Sequence, residues 1–247
     1  MKVIISGYSG AMGRVLTNYI EEENNDIAIV AAVAREITKE SYPTYKNYNE
    51  IKEDADVIID FSHHSATKDL VTYALNTKTK VVIATTGHTA EELQLIESLA
   101  KEVAVIYAGN YSLGVNVMVE LVKKASELLY GYDIEVIEKH HNKKVDAPSG
   151  TARMLVNAIK DEGNYKKVYG RSGDCKREEK EIGIHAVRGG TIVGEHEVIF
   201  AGVDEIIEIK HTALSKKMFA RGAVSASRWL VEQKNAKLYS MKDVLGL

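Results

Sequence analysis

The sequence predicts an α/β protein with two domains: an N-terminal Rossmann-type parallel sheet, then a second α+β domain carrying a mixed or antiparallel sheet. In the N-terminal part of the chain, short β-branched runs alternate with amphipathic stretches, as in a parallel sheet with crossover helices. A glycine-rich turn follows the first of these runs. Beyond Gly114, a long apolar helical stripe and then segments of alternating polarity replace that pattern.

The first domain is predicted to hold five strands and three helices. The strand runs are rich in valine and isoleucine and end at turn residues, whereas the helical stretches place apolar residues three and four positions apart. The predicted strands are 2–6, 27–33, 57–60, 80–84 and 103–107, and the predicted helices are 11–22, 65–76 and 90–101. We expect this array to be a dinucleotide-binding domain covering residues 1–111.

The second domain is expected to cover residues 112–216, to bind the substrate and to form the oligomer. It opens with one long helix, whose apolar stripe includes Met118, Leu121, Val122, Ala125, Leu128 and Leu129. A strand at 134–138, a loop and a helix at 151–160 follow, and a poorly patterned stretch runs to Lys180. Segments 183–187, 192–200 and 205–211 alternate in polarity, as strands with unlike faces do. A last helix, 216–233, returns to the first domain, so that residues 217–247 join it.

The composition is that of an ordinary folded protein with a sizeable core: 247 residues, 45% apolar and 27% charged. A net charge of −3 with mixed signs forms no basic footprint, and no apolar run reaches membrane-spanning length. We therefore expect no nucleic-acid and no membrane partner. The single cysteine, Cys175, excludes an intramolecular disulfide and a thiolate zinc cage. Together with an N-terminus that lacks the pattern of a secretion signal, it favours the cytoplasm.

The turn after the first strand has the spacing Gly-x-x-Gly-x-x-Gly, which departs from the commonest dinucleotide-binding pattern. The physical features remain, because the first glycine permits a tight turn, the second lets backbone approach a pyrophosphate and the third lets helix pack on strand. Amides at the helix start, with an arginine beside them, can bind phosphate oxygens. The alternative is a plain strand-to-helix turn. The predicted contacts are Gly7, Gly10, Ala11, Met12, Gly13 and Arg14.

The end of the second strand indicates which dinucleotide is preferred. Enzymes that prefer NAD usually place an acidic residue there, but here the place is taken by Arg35, which can pair with a 2′-phosphate. We therefore expect NADPH as the preferred cofactor, with NADH as the lesser one. An ordinary surface arginine, or Glu36 on a ribose, is the alternative. Small and amide residues after the fourth and fifth strands suit a nicotinamide ring, and the expected contacts are Ala84, Thr85, Thr86, Ala108, Asn110 and Tyr111.

The segment 138–152 reads Glu-Lys-His-His-Asn-Lys-Lys-Val-Asp-Ala-Pro-Ser-Gly-Thr-Ala and combines imidazoles, ammonium groups and a helix start. A structural role explains only the helix cap at Ser149. A site that protonates and binds a small acidic molecule explains the whole mixture, since imidazoles move protons near neutral pH while ammonium groups and free amides bind carboxylates. The candidate residues are His140, His141, Lys144, Ser149, Gly150 and Thr151.

No metal site is predicted. A metal centre at His140 and His141 is disfavoured, because adjacent residues seldom point at one ion and no carboxylate cluster completes it. The other histidines are interpreted as caps or hydrogen-bonded structure: His63, His64, His88, His185, His196 and His211.

The same segment resembles the signature of the dihydrodipicolinate reductase family, also called 4-hydroxy-tetrahydrodipicolinate reductase. The resemblance extends to the glycine turn, to 60–62, 85–87, 110–116, 187–190 and 194–196, and so runs nearly end to end. It implies reduction of a cyclic, unsaturated imine dicarboxylate to tetrahydrodipicolinate by NADPH or NADH, with hydride added at C4 of the ring. This is a step of lysine and diaminopimelate synthesis. It also implies a homotetramer built through the second domain.

By motif position, the resemblance implies roles for the candidate residues. His140 is the proton donor and Lys144 its cationic partner in catalysis; the choice of this histidine over its neighbour rests on the resemblance alone. It further implies that the substrate carboxylates are bound by His141, Lys144, Ser149, Gly150 and Thr151, and it adds Phe61 to the cofactor contacts.

Three positions depart from the family pattern. Ala34 stands where dual-specificity relatives have an acidic residue, which argues against strong use of NADH. Tyr111 in place of phenylalanine and Ala84 in place of glycine are milder changes. The competing hypotheses are another two-domain dehydrogenase acting on an amino or keto acid, since fold does not fix substrate, and a redox-sensing protein that only binds the dinucleotide.

Overall fold

The computed structural model describes residues 1–38, 40–159 and 165–247. The chain divides into two compact units, one comprising Met1–Leu113 with Lys216–Leu247 and the other Gly114–Ser215. The boundaries expected from the sequence are 1–111 with 217–247 and 112–216, and the binding roles assigned to those domains remain predictions. Within the described ranges, no helix is long and apolar enough to span a bilayer.

The described residues form twelve strands and seven α-helices. The strands are β1 (Lys2–Ser6), β2 (Ala28–Val33), β3 (Thr44–Tyr45), β4 (Val57–Asp60), β5 (Lys80–Ile83), β6 (Val105–Tyr107), β7 (Asp133–His140), β8 (Lys166–Tyr169), β9 (Glu181–Arg188), β10 (Gly194–Ala201), β11 (Ile206–Ala213) and β12 (Leu238–Tyr239). The helices are α1 (Ala11–Glu23), α2 (Thr67–Thr77), α3 (Ala90–Leu99), α4 (Leu113–Leu128), α5 (Gly150–Ala158), α6 (Lys217–Val231) and α7 (Met241–Leu245).

The first unit contains a seven-stranded sheet in the order β12-β6-β5-β4-β1-β2-β3, and every neighbouring pair is parallel. The predicted Rossmann-type sheet is therefore confirmed. The chain runs outwards from β1 through β2 and β3 on one side, and from β4 through β5 and β6 on the other. Sheets of this kind bind ligands at the crevice beyond the carboxyl ends of the strands where the order reverses, which here lies between β1 and β4.

Helices cover both faces of this sheet, which explains why its central strands are continuous runs of valine and isoleucine. Val3 and Ile5 of β1 pack in one core with residues of α1 and α6. Ile4 points to the opposite face and packs in a second core with residues of α2 and α3. Successive side chains of a strand alternate between faces, so each central strand contributes to both cores.

Three elements of the first unit were missed by the sequence analysis. The strands β3 and β12 contain two residues each and lie at the two edges of the sheet, so they are too short to show a period. The short helix α7 follows Ser240, whose capping box with Asp243 fixes its first turn. The helix predicted over 65–76 begins at Thr67 and ends at Thr77 instead, because a 3-10 turn at His64–Ala66 precedes α2.

The second unit contains a five-stranded mixed sheet in the order β11-β10-β7-β9-β8. The strand β10 runs antiparallel to β7 and β11, whereas β9 runs parallel to β7 and β8. The predicted mixed sheet is thus confirmed. Residues of α4 and α5, such as Val122 and Leu155, pack with Val136 and Phe200 against one face. Side chains on the opposite face, such as Ile206, are mostly half-buried or exposed.

Two predicted segments of the second unit need comment. The helix predicted over 151–160 begins one residue earlier and ends at Ala158, and its predicted last residue lies outside the described residues. The strand β8 lies in the stretch that showed no clear pattern. It is an edge strand with mostly exposed side chains, so no alternation of polarity marks it.

Candidate active site

The glycine turn of the first unit lies at the crevice between β1 and β4. Gly7 has φ of +77° and its amide donates to the Val33 carbonyl at 2.8 Å. A Cβ added at Gly7 would lie 2.5 Å from the Phe61 carbonyl oxygen. A Cβ added at Gly13 would lie 2.1 Å from the Gly7 carbonyl oxygen. Only glycine fits either position. Gly10 precedes α1 without a side-chain cap, so the first amides of this helix are open to a phosphate.

A first cleft, of about 460 Å³, lies beside this turn. Arg35 and Lys46 supply two exposed cations to its lining. The Arg35 guanidinium donates to Ser65 Oγ at 2.9 Å, and Ser65 Oγ lies 3.0 Å from His63 Nδ1. The guanidinium is thus already held in place at the cleft. Arg35 was predicted from the sequence as a cofactor contact, but Lys46 and Ser65 were not.

A second cleft, of about 250 Å³, has a mostly apolar lining. It brings together five predicted cofactor contacts, namely Met12, Phe61, Ala84, Asn110 and Tyr111, and adds Lys216 and Phe219 from the C-terminal segment. The Tyr111 hydroxyl donates to the Ile83 carbonyl at 3.0 Å, so the polar atom that distinguishes it from phenylalanine is satisfied within the fold. Burial raises the pKa of Tyr111 well above its ordinary value. No pattern in the sequence indicated that Lys216 and Phe219 would line the same cleft as these predicted contacts.

Three predicted cofactor contacts have side chains engaged elsewhere in the first unit. Thr85 is buried and donates to Asp60 Oδ2 at 2.6 Å. Arg14 Nε donates to the Ser9 carbonyl at 3.1 Å, so the guanidinium bends back over its own turn. Ala108 packs against the core. Thr86, by contrast, is exposed in its loop.

The arrangement in the first unit fits a nicotinamide dinucleotide. The glycine turn has no room for side chains where a pyrophosphate needs backbone amides. The two clefts share Phe61, and they differ in character as the two halves of the cofactor do. The polar cleft with two cations suits a phosphorylated adenosine, whereas the apolar cleft suits a nicotinamide ring.

In the second unit, His140 is held by a buried carboxylate. Glu138 and His140 lie two positions apart on β7 and therefore point to the same face. His140 Nδ1 donates to Glu138 Oε2 at 2.6 Å. Arg188 donates to both oxygens of Glu138, at 2.8 and 2.7 Å, and the Ser149 amide donates to Oε1 at 2.9 Å. Glu138 itself is fully buried.

The protonation state of Glu138 follows from these contacts. Burial by itself raises the pKa of this carboxyl, but hydrogen bonds from Arg188, His140 and the Ser149 amide outweigh burial and hold the pKa below its ordinary value. The carboxylate is therefore ionised near neutral pH and can only accept hydrogen bonds. Consequently the Nδ1 atom of His140 carries a proton. Its Nε2 atom has no hydrogen-bond partner among the described residues, and the absence of a side chain at Gly194 leaves room beside it.

His196 also belongs to this site, although the sequence analysis interpreted it as structural. Its Nε2 lies 3.0 Å from Ser149 Oγ, and its ring centre lies 5.1 Å from that of His140. The side chain is only 4% exposed. Burial, followed by the nearby charge of His140, lowers the pKa of His196 to about 4. The imidazole is therefore neutral at pH 7, and its Nδ1 is buried without a partner in the described structure.

The predicted anion-binding residues surround the start of α5. Ser149 is the N-cap, and its Oγ accepts from the Ala152 amide at 3.1 Å. Gly150 and Thr151 occupy the first turn, where helix amides favour an anion. Among the described residues, no cluster of three or more metal-ligating side chains is present.

The two remaining candidates, His141 and Lys144, lie in the loop before α5. His141 is half-buried, and its carbonyl accepts from the Lys144 amide at 3.1 Å. Lys144 Nζ lies 2.7 Å from Asp146 Oδ1, and this hydrogen bond lowers the pKa of Asp146. The ammonium group is thus partly exposed and held at the loop by Asp146. It is available to a substrate carboxylate only in competition with Asp146.

The second unit therefore combines an imidazole of fixed tautomer, an ammonium group and the start of a helix. That combination can protonate and bind a small acidic molecule. The contacts of Glu138, Arg188 and His196 in this site were not predicted from the sequence. The alternation of β7 was a usable signal for Glu138, since it places this residue on the same face as His140.

Both parts of the chain match models of one protein family, and the whole chain is similar to curated sequences of one name. Residues 1–111 match the family model described as "Dihydrodipicolinate reductase, N-terminus", and residues 114–245 match "Dihydrodipicolinate reductase, C-terminus". The chain is 48% identical to the 4-hydroxy-tetrahydrodipicolinate reductase of Caldanaerobacter subterraneus subsp. tengcongensis, over 99% of this chain and 98% of the relative. It is 46% identical to the protein of the same name from Clostridium botulinum, over 100% of this chain and 99% of the relative.

Among solved structures, the chain is similar to dipicolinate-bound dihydrodipicolinate reductase from Paenisporosarcina sp. TG-14. The TM-score is 0.80 with 23% sequence identity, and the match covers 97% of each chain. At this identity the similarity supports the fold alone.

Proposed function

Because this chain belongs to the dihydrodipicolinate reductase family, we propose that it reduces 4-hydroxy-tetrahydrodipicolinate to tetrahydrodipicolinate with NAD(P)H, in lysine and diaminopimelate synthesis. The overall change replaces a ring hydroxyl by hydrogen, so one hydride and one proton are consumed and one water leaves. The observation that carries the proposal is the imidazole of His140, held by Glu138, whose other oxygen accepts from the amide of Ser149 at the start of α5. Family membership favours this reaction over oxidation of an amino or keto acid and over simple dinucleotide sensing.

The cofactor is held by residues of the first unit. When bound, the reduced nicotinamide supplies the hydride. The amides at the start of α1 bind the pyrophosphate, Phe61 lines both clefts, and Asn110 and Tyr111 line the nicotinamide cleft. NADPH is preferred, because Arg35 and Lys46 place two cations where a 2′-phosphate would lie.

The substrate dicarboxylate is held by residues of the second unit. The amides of Gly150 and Thr151 bind one carboxylate together with Ser149, and the dipole of α5 favours its charge. Lys144 neutralises carboxylate charge after leaving Asp146, and His141 contributes a further contact. These groups orient the ring while excluding alternative poses.

His140 donates the proton from Nε2, because Nδ1 is occupied by Glu138. Negative charge develops on the conjugated imine during reduction, so an imidazolium and an ammonium group stabilise the transition state more than the ground state. After the transfer, His140 remains as the neutral tautomer with the proton on Nδ1. His196 is neutral at pH 7 and therefore adds no positive charge beside the imidazole of His140.

A homotetramer in the cytoplasm completes the proposal. Side chains on the face of the second sheet opposite α4 and α5 mix apolar and charged groups, including Val187, Ile206 and the Lys139–Glu195 pair at 3.2 Å. A second copy of the chain offers the same mixture and can pair with it. The single free cysteine is compatible with a reducing compartment.

The test of activity follows the loss of NADPH absorbance with freshly generated substrate. We expect turnover that pyridine-2,6-dicarboxylate, a planar mimic of the ring, inhibits competitively with substrate. A folded sample that binds NADPH but shows no turnover would contradict the proposal. Turnover that the pyridine dicarboxylate leaves unaffected would point to a different acidic substrate.

A further inference from the structure

Glu138 connects two parts of the substrate site that carry different chemistry. One carboxylate oxygen accepts from the imidazole of His140, and the other accepts from the backbone amide of Ser149. We infer that Glu138 is a positioning residue, which fixes the proton-donating imidazole and the carboxylate-binding start of α5 relative to each other. The inference rests on the proposed function, in which His140 gives up the proton.

On the imidazole side, Glu138 determines which ring nitrogen exchanges the proton. An ionised carboxylate cannot donate, so Nδ1 of His140 must keep its hydrogen whether the ring is charged or neutral. Only Nε2 is then able to release a proton. When it does so, the N–H bond at Nε2 breaks, a bond to the substrate forms, and no proton passes to Glu138.

On the helix side, Glu138 fixes the residue that begins α5. The Ser149 amide lies 2.9 Å from Oε1, while the Ser149 hydroxyl caps the helix and contacts His196. The position of Ser149 sets the direction of the amides that follow it. A carboxylate bound at those amides is therefore placed at a defined distance from the proton donor.

Arg188 holds Glu138 in the orientation that serves both sides. Its two terminal nitrogens donate to both carboxylate oxygens, a forked geometry that fixes the plane of the carboxylate. The same guanidinium donates to the Asp146 carbonyl at 2.6 Å, in the loop that carries Lys144. The buried ion pair thus anchors this loop as well as the imidazole.

A glutamine at position 138 could not accept all the hydrogen bonds that the ionised carboxylate accepts. Four donor groups converge on the two oxygens: His140 Nδ1, the Ser149 amide and both terminal nitrogens of Arg188. An amide has one acceptor oxygen, which would stay with Ser149 and one nitrogen of Arg188. Its NH₂ group would then face His140 and turn Nδ1 into an acceptor, so the neutral ring would carry its proton on Nε2.

The experiment compares Glu138→Gln with Glu135→Gln. Glu135 lies on the same strand and also binds an arginine and a histidine, with Arg177 at 2.6 Å and His185 at 2.8 Å, but it points to the opposite face of the sheet. Both variants are measured for kcat, KM and the pH dependence of kcat. Nitrogen-15 NMR of the histidine rings reports which nitrogen carries the proton, and urea denaturation confirms that each variant is folded.

We expect Glu138→Gln to lower kcat at least about 100-fold, the range of a lost general acid, because the imidazole of His140 is no longer held in the tautomer and orientation of the wild type. The Nδ1–H signal of His140 should be lost, and Glu138→Asp should restore it. Glu135→Gln should keep wild-type kcat.

A wild-type kcat and an unchanged His140 ring signal in folded Glu138→Gln would overturn the inference. Equal losses in both glutamine variants would also overturn it, since they would indicate a general effect on the sheet. If the wild-type protein itself shows no turnover, the proposed function fails, and the ring-nitrogen spectra still decide whether Glu138 sets the tautomer of His140.

Discussion

At the residue scale, the proposed preference for NADPH over NADH depends on the guanidinium of Arg35. It is tied to Ser65 and shares its cleft with Lys46. We predict that Arg35→Ala raises KM for NADPH by roughly 10-fold to 100-fold, the value of a lost charge-assisted hydrogen bond, and leaves KM for NADH nearly unchanged. Steady-state kinetics with both cofactors measure this. The matched control is Arg221→Ala, an exposed arginine of α6 that should change neither constant. A parallel loss with both cofactors would contradict a role in binding the 2′-phosphate.

His196 makes stability depend on pH in a defined window. Its pKa falls from 6.5 to about 4 on folding, so the unfolded chain binds this proton at higher pH than the folded chain does. The contribution of neutral His196 to the free energy of unfolding is therefore complete above pH 6.5, declines as the pH falls and is lost below about pH 4. This pKa shift corresponds to a change of roughly 3 kcal/mol in the free energy of unfolding.

The measurement is urea denaturation of wild type and His196→Gln between about pH 7 and pH 4, a window set by the linkage. Glutamine can still bond to Ser149 Oγ but does not titrate. We expect the free energies of unfolding to converge by roughly 3 kcal/mol as the pH falls. Two half-buried histidines, His88 and His211, also have lowered pKa values, but they are present in both proteins and their effects cancel. If the free energies of unfolding of the two proteins ran parallel with pH, His196 would not be the group that makes stability depend on pH in this window.

At the element scale, the packing of α6 on the loop after β6 depends on one glycine. A Cβ at Gly222 would lie 1.6 Å from the Tyr111 carbonyl oxygen, which is backbone and cannot turn aside. We predict that Gly222→Ala costs at least about 2 kcal/mol in the free energy of unfolding. It should also weaken NADPH binding, because Tyr111 and its neighbour Asn110 line the second cleft.

Urea denaturation and NADPH titration measure these two effects. Gly109→Ala is the control for stability, since nothing lies within 4 Å of an added Cβ at that position. We expect its free energy of unfolding to stay near the wild-type value. A Gly222→Ala variant as stable as the wild type would mean that the helix moves away from the loop at no cost.

The elements also explain how far the sequence could be interpreted. The strands β1 and β4 were predicted with their observed bounds, because strands buried on both faces are uninterrupted runs of valine and isoleucine. The edge strands β3 and β12 pair through backbone atoms and are too short for a pattern. In the candidate site, Ser149 was recognised because a helix cap is a local signal. His196 was not, since its contact with Ser149 spans 47 residues.

At the scale of the whole molecule, the half-covered sheet of the second unit predicts assembly. Ile206 is 63% exposed and lies on the face opposite α4 and α5. We expect sedimentation equilibrium to give a tetramer for the wild type and smaller species for Ile206→Glu, because the buried charge would lack a partner. Tyr130→Glu, at an exposed residue off the sheet, should stay tetrameric. A monomeric wild type would rule out this use of the sheet.

The seven-stranded sheet takes its edge strand β12, and the helix α6 that covers one of its faces, from residues that follow the entire second unit in the chain. During synthesis on the ribosome, the first unit must therefore wait for its last part. Until then Val82 and Ile106 lack α6 residues such as Ala223 and Leu230, their companions in the same core. The nascent chain exposes an apolar sheet face and the unpaired edge of β6 at this stage, and both favour aggregation. We therefore expect a nascent chain stalled after residue 215 to be retained by chaperones, whereas the released chain is not.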